Sequence, residues 1–213
     1  MKVAAFLPNT IQEYEGEISA LVFLPGCNVR CSFCHNVQLA TADTQSGTKP
    51  LKKILQDPLI TAITISGGEP TIHHNLIQNL RNIRQTTSLK IKLFTNGLRP
   101  EVIKKICEEH LIDAISVDLK GTKNLSQILG VKISDQTYLN TIADSIIFAH
   151  ANDIKTEVRS TLHPQFDLKT AETFMSIVLP EITYITQRYI KAGEQDLWPQ
   201  STNTNAPTRT AKK

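Results

Sequence analysis

The feature that most constrains the fold of this 213-residue chain is the alternation of strand-like with helix-like segments. Segments rich in β-branched and aromatic residues, typical of strands, extend over 18–24, 61–66, 90–95, 114–119, 155–161 and 183–190. Helical periodicity extends over 49–57, 73–86, 100–110, 136–151 and 167–179. This alternation predicts an α/β fold with parallel strands and right-handed crossovers.

The polarity of the predicted strands favours a barrel over a flat, fully buried sheet. The segments KIKLF (90–94) and KTEVRST (155–161) alternate polar with apolar residues, which suits a wall with a wet interior. The predicted βα units are fewer than the eight of a closed TIM barrel. We therefore predict a partial, TIM-like barrel that is open on one side and binds ligands at the carboxyl ends of its strands.

Composition and charge exclude several classes of protein. Hydrophobic residues make up 40% of the chain, and no apolar run approaches the roughly 20 residues that span a bilayer. The amino terminus has no signal-peptide pattern, so we expect a cytoplasmic protein with no membrane partner. Without Arg209, Lys212 and Lys213, 20 basic residues face 20 acidic ones, a balance that argues against nucleic acid as a partner. We expect a single domain over 1–198 and a polar, disordered tail over 199–213.

The three cysteines Cys27, Cys31 and Cys34 lie in the loop GCNVRCSFCHN that follows the first predicted strand. Thiolates are soft ligands that bind zinc, copper or iron–sulfur clusters. Three of them can hold three irons of a 4Fe–4S cluster and leave the fourth iron open to a small molecule. A zinc site with His35 as fourth ligand is the alternative, although adjacent side chains seldom converge on one tetrahedral centre. The remaining cysteine, Cys107, lies on the apolar face of a predicted helix and is expected to be a small buried hydrophobe.

The second predicted strand ends in a glycine-rich turn, Gly67-Gly68-Glu69-Pro70. Adjacent glycines let a ligand approach the main chain, and the Glu69 carboxylate can accept a hydrogen bond from an ammonium group. Such a turn alone is a modest signal, since an ordinary strand-to-helix connection explains it equally well. Because a three-cysteine loop follows the preceding strand, the Gly-Gly-Glu-Pro turn after the second strand indicates a cofactor site.

The segments CNVRCSFC and GGEP together resemble the radical S-adenosylmethionine (SAM) superfamily, whose hallmark is Cys-x3-Cys-x-aromatic-Cys, here with Phe33 as the aromatic residue. FLPGCNVRCSFCHN, SGGEPT, TNG, DAISVDLKG, EVRST and YITQRYI are similar to the activating enzymes of glycyl radical enzymes. Among these, the chain is most similar to the proteins that activate anaerobic ribonucleoside-triphosphate reductase. The resemblance extends over about residues 11–191. It implies a partial (β/α)6 barrel of the radical SAM type.

The resemblance also implies the residues of a site. The ligands of the 4Fe–4S cluster would be Cys27, Cys31 and Cys34. The residues expected to contact SAM are Phe33, Gly67, Gly68, Glu69, Asn96, Asp118, Lys120, Arg159 and Thr161. Phe33 would lie near the adenine and Glu69 at the methionine ammonium group, while Lys120 and Arg159 are the catalytic candidates.

The activity that the resemblance implies has two steps. The reduced cluster passes an electron to SAM, which splits into methionine and a 5′-deoxyadenosyl radical. The radical then takes a hydrogen from a glycine Cα of a partner glycyl radical enzyme. A flavodoxin- or ferredoxin-type protein would donate the electron. One departure is Phe94, where many activating enzymes carry an Asp before Thr-Asn-Gly, and this weighs against the cation site proposed at that position.

Two other functions compete with this one. A radical SAM enzyme acting on a small molecule or nucleobase, such as a deazapurine synthase, shares the cysteine loop, but the DLKG and EVRST segments favour the activating group. A non-catalytic, metal-binding interaction protein would not need the Gly-Gly-Glu-Pro turn or an Asp118–Lys120 pair. We therefore predict an enzyme, a radical SAM oxidoreductase.

Overall fold

A single seven-stranded sheet organises the part of the chain that the structure, a computed structural model, describes: residues 3–44, 51 and 57–190. The strands are β1 (Ala5–Thr10), β2 (Ser19–Leu24), β3 (Ala62–Gly67), β4 (Lys90–Thr95), β5 (Ala114–Asp118), β6 (Lys155–Leu162) and β7 (Thr183–Arg188). Their order across the sheet is their order along the chain. Strands β2 to β7 are parallel, and β1 pairs antiparallel with β2. The predicted parallel architecture is confirmed, with an antiparallel strand added at one edge.

Helices connect the parallel strands. Within the described residues they are α1 (Val37–Thr41), α2 (Leu76–Thr86), α3 (Pro100–Glu108), α4 (Leu125–Leu129), α5 (Asp135–Ala151) and α6 (Leu168–Val178), with a 3-10 turn over Pro70–Ile72. Local signals set several boundaries. Pro100 lies in the first turn of α3, and the side chains of Ser134 and Asp167 cap α5 and α6 by accepting backbone N–H bonds. The predicted helices that match, with small shifts of their ends, are 73–86, 100–110, 136–151 and 167–179.

The two faces of the sheet differ in chemistry. Outward-facing strand residues such as Ile65, Leu93 and Val117 are fully buried and share one core with the helices. The inward face is polar: the Lys92 ammonium on β4 lies 2.8 Å from the Glu157 carboxylate on β6, across strand β5. The polar positions of the alternating strands therefore line the inside of a partial barrel, as the sequence predicted.

Three short elements are absent from the sequence-based prediction. Strand β1 (AFLPNT) is exposed along almost its whole length and contains Pro8, which an edge strand tolerates because a missing N–H on its free side breaks no ladder bond. Helices α1 and α4 have five residues each, too few to establish a helical period.

Two predictions concern residues outside the described part of the chain. The helix predicted over 49–57 falls largely there, and so does the polar tail, so the domain boundary at 198 stays a prediction. None of the helices described is both long and apolar enough to cross a membrane.

Candidate active site

A cavity of about 370 Å³ lies at the carboxyl ends of the parallel strands. Every residue predicted from the sequence as a cofactor contact lines it: Cys27, Cys31, Phe33, Cys34, Gly67, Gly68, Glu69, Asn96, Asp118, Lys120, Arg159 and Thr161. The volume is in the range of small-molecule sites in proteins. The position agrees with the rule that parallel βα folds bind ligands at the strand ends.

The cysteine loop is anchored by α4 and by its own arginine. The backbone N–H groups of Arg30 and Ser32 donate to the carbonyls of Leu129 and Ile128, at 2.7 and 2.9 Å. The Arg30 guanidinium donates to the Cys27 carbonyl at 2.7 Å. These bonds fix the loop backbone from outside and from within, and hold it in place as one wall of the cavity.

The thiols of this loop lie in a mostly buried environment. Burial raises the pKa of Cys27 and raises the pKa of Cys31 to about 11, while the nearby Lys120 ammonium acts in the opposite direction on both. Such thiols become good ligands when a metal supplies compensating positive charge. Within the described ranges, no three His, Cys, Asp or Glu side chains converge as ligands of a single metal ion. The three thiols all line the one cavity.

The two glycines allow the cysteine loop and the Gly-Gly-Glu-Pro turn to touch backbone to backbone. The Gly68 N–H donates to the Leu24 carbonyl at 2.9 Å, and the Glu69 N–H donates to the Gly26 carbonyl at 2.8 Å. A Cβ on Gly68 would lie 1.9 Å from the Gly26 oxygen. On Gly67, whose φ is +136°, a Cβ would lie 2.1 Å from the Leu24 oxygen. Glycine is therefore required at both positions for the two loops to meet.

Glu69 is 1% exposed, and its carboxylate joins the turn to the end of β4. Its Oε1 accepts hydrogen bonds from the Thr71 N–H at 3.0 Å, the Thr71 hydroxyl at 2.6 Å and the Thr95 hydroxyl at 2.7 Å. Its Oε2 accepts from the Asn96 N–H at 2.7 Å. Burial raises the pKa of Glu69, and these donors oppose that shift by stabilising the charged form. The expected contact with an ammonium group stays a prediction.

Asn96 extends this connection to the cysteine loop. Its Nδ2 donates to the Asn28 side-chain oxygen at 2.7 Å, and its Oδ1 accepts from the Leu98 N–H at 3.1 Å. The turn after β4 thus contacts Glu69 through its backbone and the cysteine loop through its side chain. The three loops after β2, β3 and β4 form one hydrogen-bonded unit around the cavity.

Alternating charges lie where β5 and β6 end. The Lys120 ammonium donates to Asp118 Oδ2 at 2.9 Å, and Arg159 Nε lies 3.5 Å from Asp118 Oδ1. The Arg159 guanidinium lies over the Phe94 ring, with its Cζ 4.0 Å from the ring centroid. Burial raises the pKa of Asp118, but the positive charges of Lys120 and Arg159 outweigh burial and hold that pKa below its usual range. Burial lowers the pKa of Lys120, but the Asp118 carboxylate outweighs this and raises it. The pair is ionised at neutral pH.

Two histidines near the cavity are engaged by the protein itself. The His163 ring stacks on Phe33 at a centroid distance of 4.1 Å, and its Nε2 lies 2.9 Å from the Lys120 carbonyl. The His35 ring stacks against the Tyr189 ring at a centroid distance of 6.2 Å, and its buried Nδ1 has no hydrogen-bond partner among the described residues. His35 therefore ties the cysteine loop to the chain that follows β7.

Sequence reasoning missed part of this site. Residues Val37, Ala40 and Thr41 of α1 also line the cavity, although the helix itself is too short to predict. Glu13, on the connection between β1 and β2, reaches within 3.9 Å of the Arg159 guanidinium. The only signal for that contact is the spacing of acidic residues in EYEGE, which indicates little without a fold.

A family model described as the radical SAM superfamily matches residues 21–177, which include the cysteine loop, the Gly-Gly-Glu-Pro turn and the charged strand ends. The chain belongs to the radical SAM superfamily. Enzymes of this superfamily use a 4Fe–4S cluster and SAM, so the cofactors expected from the sequence are confirmed at the level of the family. The roles of individual residues in this radical SAM protein stay predictions.

Curated relatives of this radical SAM protein include two with the provisional name of glycyl-radical enzyme activating enzyme. The one from Methanocaldococcus jannaschii is 29% identical over 157 residues, 72% of this chain and 65% of the relative. The one from Haemophilus influenzae is 30% identical over 122 residues, 54% of this chain and 45% of the relative. A 7-carboxy-7-deazaguanine synthase from Clostridium acetobutylicum is 25% identical over 85 residues, 38% of each chain. The chain spans less than two thirds of the length of these relatives.

Solved radical SAM structures confirm the fold. The Streptococcus suis protein SuiB bound to S-adenosylmethionine matches with a TM-score of 0.59 and 16% identity, over 81% of this chain and 43% of that one. TYW1 with a lysine-pyruvate adduct matches with a TM-score of 0.57 and 16% identity, over 84% of this chain and 68% of that one. At such identities the likeness concerns the partial barrel alone.

Proposed function

We propose that this radical SAM enzyme activates a partner protein by removing a hydrogen atom from one of its glycine residues. The main support is that three thiols, the Gly-Gly-Glu turn and the Asp118–Lys120 pair line one cavity at the strand ends. The two relatives with the provisional name of activating enzyme favour a protein substrate. The sequence resemblance puts anaerobic ribonucleoside-triphosphate reductase first among the partners to test.

The donor set of the cavity fits a 4Fe–4S cluster. Cys27, Cys31 and Cys34 would each supply a thiolate, the soft ligand that iron–sulfur clusters take. The fourth cysteine of the chain, Cys107, is fully buried on α3, so one iron is left for SAM. When bound, the cluster and SAM supply the one-electron cleavage that yields a 5′-deoxyadenosyl radical.

The side chains around the thiols would bind and orient SAM. Lys120 Nζ lies 5.9 Å from the centroid of the Phe33 ring and is held by Asp118, which makes it a fixed cation for the methionine carboxylate. Arg159 supplies a second cation beside Phe94. Phe33 and Phe94 also provide apolar walls that exclude water from a reactive radical. Glu69 and Asn96 hold the surrounding loops in register.

Two partners complete the proposal. The cavity lies at the carboxyl ends of the strands, and the glycine of the partner would enter there. A flavodoxin- or ferredoxin-type protein would donate the electron, as expected of a cytoplasmic enzyme of this kind. Both partners rest on the sequence resemblance.

The cofactor part of the proposal is tested by anaerobic reconstitution with iron and sulfide. We expect the wild-type chain to bind a cluster whose electron paramagnetic resonance (EPR) spectrum shifts on addition of SAM, and to release 5′-deoxyadenosine when reduced. Cys31→Ala should abolish cluster retention, because one of three ligands is lost. Cys107→Ala is the matched control and should retain the full content. A full cluster in Cys31→Ala, or a colourless protein that takes up only zinc, would contradict the ligand assignment.

The substrate part needs a separate assay. The reduced, SAM-loaded enzyme is mixed with an anaerobic ribonucleoside-triphosphate reductase, and EPR is used to look for a protein-centred radical. Deuteration of the glycine α-carbon should transfer deuterium into 5′-deoxyadenosine. The 25% identity to a deazaguanine synthase gives the competing outcome. Turnover of a purine precursor with no protein radical would replace glycine abstraction by small-molecule chemistry.

A further inference from the structure

The connection between β1 and β2, residues 11–18, closes the end of the barrel opposite the cysteines; we call it the floor strap. The Ile18 N–H donates to the Thr61 hydroxyl at 3.0 Å, just before β3 begins. Tyr14 is 6% exposed and packs in one cluster with Ala62 and Ala114, the first residues of β3 and β5. The floor strap therefore lies across the amino-terminal ends of the parallel strands.

Three glutamates of the floor strap contact three cations of the barrel strands. Glu15 lies 3.3 Å from Lys155, and Glu17 contacts Lys90. In the Glu15 pair the side chains are 81% and 60% exposed, so solvent screens their attraction. Glu13, by contrast, lies 3.9 Å from Arg159, in a pair whose side chains are 25% and 14% exposed. Only this third pair lies inside the barrel and reaches a residue of the cavity.

Arg159 depends on a small number of contacts for its position. Its Nε is buried without a close hydrogen-bond partner, at 3.5 Å from Asp118 Oδ1. The Cζ of the guanidinium lies over the Phe94 ring, 4.0 Å from its centroid. Glu13 lies 3.9 Å from its Nη1. A mostly buried guanidinium with an unpaired N–H is positioned by the negative charges around it. The carboxylates of Glu13 and Asp118 therefore set the position of Arg159 together.

Asp118 serves two cations at once. Its Oδ2 accepts from Lys120 at 2.9 Å, while its Oδ1 faces Arg159. If Glu13 loses its charge, Asp118 is the one carboxylate of this pair that still attracts the Arg159 guanidinium. Arg159 then competes with Lys120 for the same carboxylate, and Lys120 loses the contact that fixes it at the cavity. A change on the floor strap is thereby transmitted to the SAM-facing side of the barrel.

We infer that Glu13 is a positioning residue: it holds the Arg159 guanidinium over the Phe94 ring from the floor of the barrel and so leaves Asp118 to orient Lys120. The inference rests on the proposed function, in which Lys120 and Arg159 face SAM. Glu13 lies outside the short motifs that carry the family resemblance, and it does not line the cavity. It therefore acts through Arg159 and not by contact with SAM.

The test uses the full, reconstituted chain with SAM as the probe. Glu13→Gln should weaken SAM binding, measured by equilibrium dialysis, by roughly tenfold, as loss of a residue that orients a ligand-contacting group does in metal sites. It should also reduce the EPR shift that SAM induces, while iron content and the thermal midpoint stay close to wild type. Glu15→Gln is the matched control, with the same chemical change on the same strap in an exposed pair, and should leave SAM affinity unchanged.

A double substitution separates positioning from a general effect on the strap. If Glu13 acts through Arg159, Glu13→Gln should add nothing to the affinity loss of Arg159→Met, because the group it positions is gone. Equal losses with and without Arg159, a loss in Glu15→Gln, or wild-type affinity in Glu13→Gln would each overturn the inference. A wild-type chain that binds no SAM would instead remove the proposed function and this inference with it. SAM binding without glycine activation would leave this inference standing.

Discussion

Glu69 is predicted to contact SAM, and its hydrogen bonds also hold the parts of the site together. Its two carboxylate oxygens accept bonds from the backbone and hydroxyl of Thr71, the hydroxyl of Thr95 and the backbone of Asn96. These donors come from the turn after β3, from the last residue of β4 and from the residue that follows it. A neutral side chain of the same length cannot accept from all of them, because an amide offers one oxygen.

We therefore expect Glu69→Gln to destabilise the protein even in the absence of SAM. The amide NH2 group would face either the Asn96 N–H or the Thr71 and Thr95 donors, and an unpaired buried donor costs about 1 to 3 kcal/mol. The measurement is the free energy of unfolding in urea under anaerobic conditions. Glu108→Gln, in an exposed pair with Lys104 at 3.8 Å, is the control and should change stability by less than about 0.5 kcal/mol. Equal effects of the two substitutions would refute the structural role.

At the scale of elements, the site depends on the close approach of two loops. The cysteine loop and the Gly-Gly-Glu-Pro turn meet where the Gly68 Cα faces the Gly26 carbonyl. Gly16, on the floor strap, offers a contrast: its φ is +81°, and a Cβ there would meet no atom within 4 Å. Gly68 is required because a side chain would clash with the Gly26 carbonyl, whereas Gly16 is favoured only by its positive φ.

Gly68→Ala should therefore cost the protein its cluster, whereas Gly16→Ala should not. A Cβ placed 1.9 Å from a backbone oxygen forces the two loops apart, since neither can move as a flexible side chain would. Gly16→Ala carries only the strain of a positive φ, about 1 kcal/mol. The readout is iron and sulfide per chain after reconstitution, together with the thermal midpoint. Retention of a full cluster by Gly68→Ala would mean that the loops need not touch.

The elements that the sequence predicted are those with a strong local signal. Strands β2 to β7 are rich in β-branched or aromatic residues, and α5 and α6 begin at capping side chains, so these elements can be predicted from a single sequence. The predicted site residues share one cavity because strand ends in a parallel sheet lie at one edge.

The rest depends on contacts between distant parts of the chain. Strand β1 gains its partner only when β2 is in place, and α4 supports the cysteine loop through the backbone of Arg30 and Ser32. The Glu13–Arg159 contact joins the first connection of the sheet to its sixth strand. A pattern along one sequence carries no information on such pairings.

At the scale of the whole molecule, the barrel interior carries ion pairs from its floor to its mouth. Lys92 and Glu157 pair near the floor, Glu13 and Arg159 come next, and Asp118 and Lys120 pair at the cavity. Burial lowers the pKa of Lys92, and the Glu157 carboxylate opposes that shift. Lys92 and Glu157 each keep their charge because the other is there, so this pair is costly to alter one residue at a time.

A double-mutant cycle on the floor pair tests this. Lys92→Met should lower the free energy of unfolding by about 3 kcal/mol, because it leaves Glu157, only 18% exposed, without its counter-charge. Adding Glu157→Leu should recover most of the loss and bring the protein to within about 1 kcal/mol of wild type, since a matched apolar pair needs no counter-charge. The measurement is urea unfolding of all four chains.

The same cycle on Lys104 and Glu108, a pair about half exposed, should show no coupling beyond about 0.5 kcal/mol, because solvent screens that pair. Additive losses in the Lys92–Glu157 cycle would mean that the interior charges stabilise the barrel independently. Recovery of the free energy of unfolding in the double variant would instead mean that the Lys92–Glu157 pair contributes little to folding. The polar interior would then be maintained for the cavity, where Arg159 and Lys120 need charged neighbours. SAM affinity of the recovered double variant decides this last step, and we expect it to fall, because Lys92 lies 5.0 Å from the Phe94 ring on which Arg159 rests.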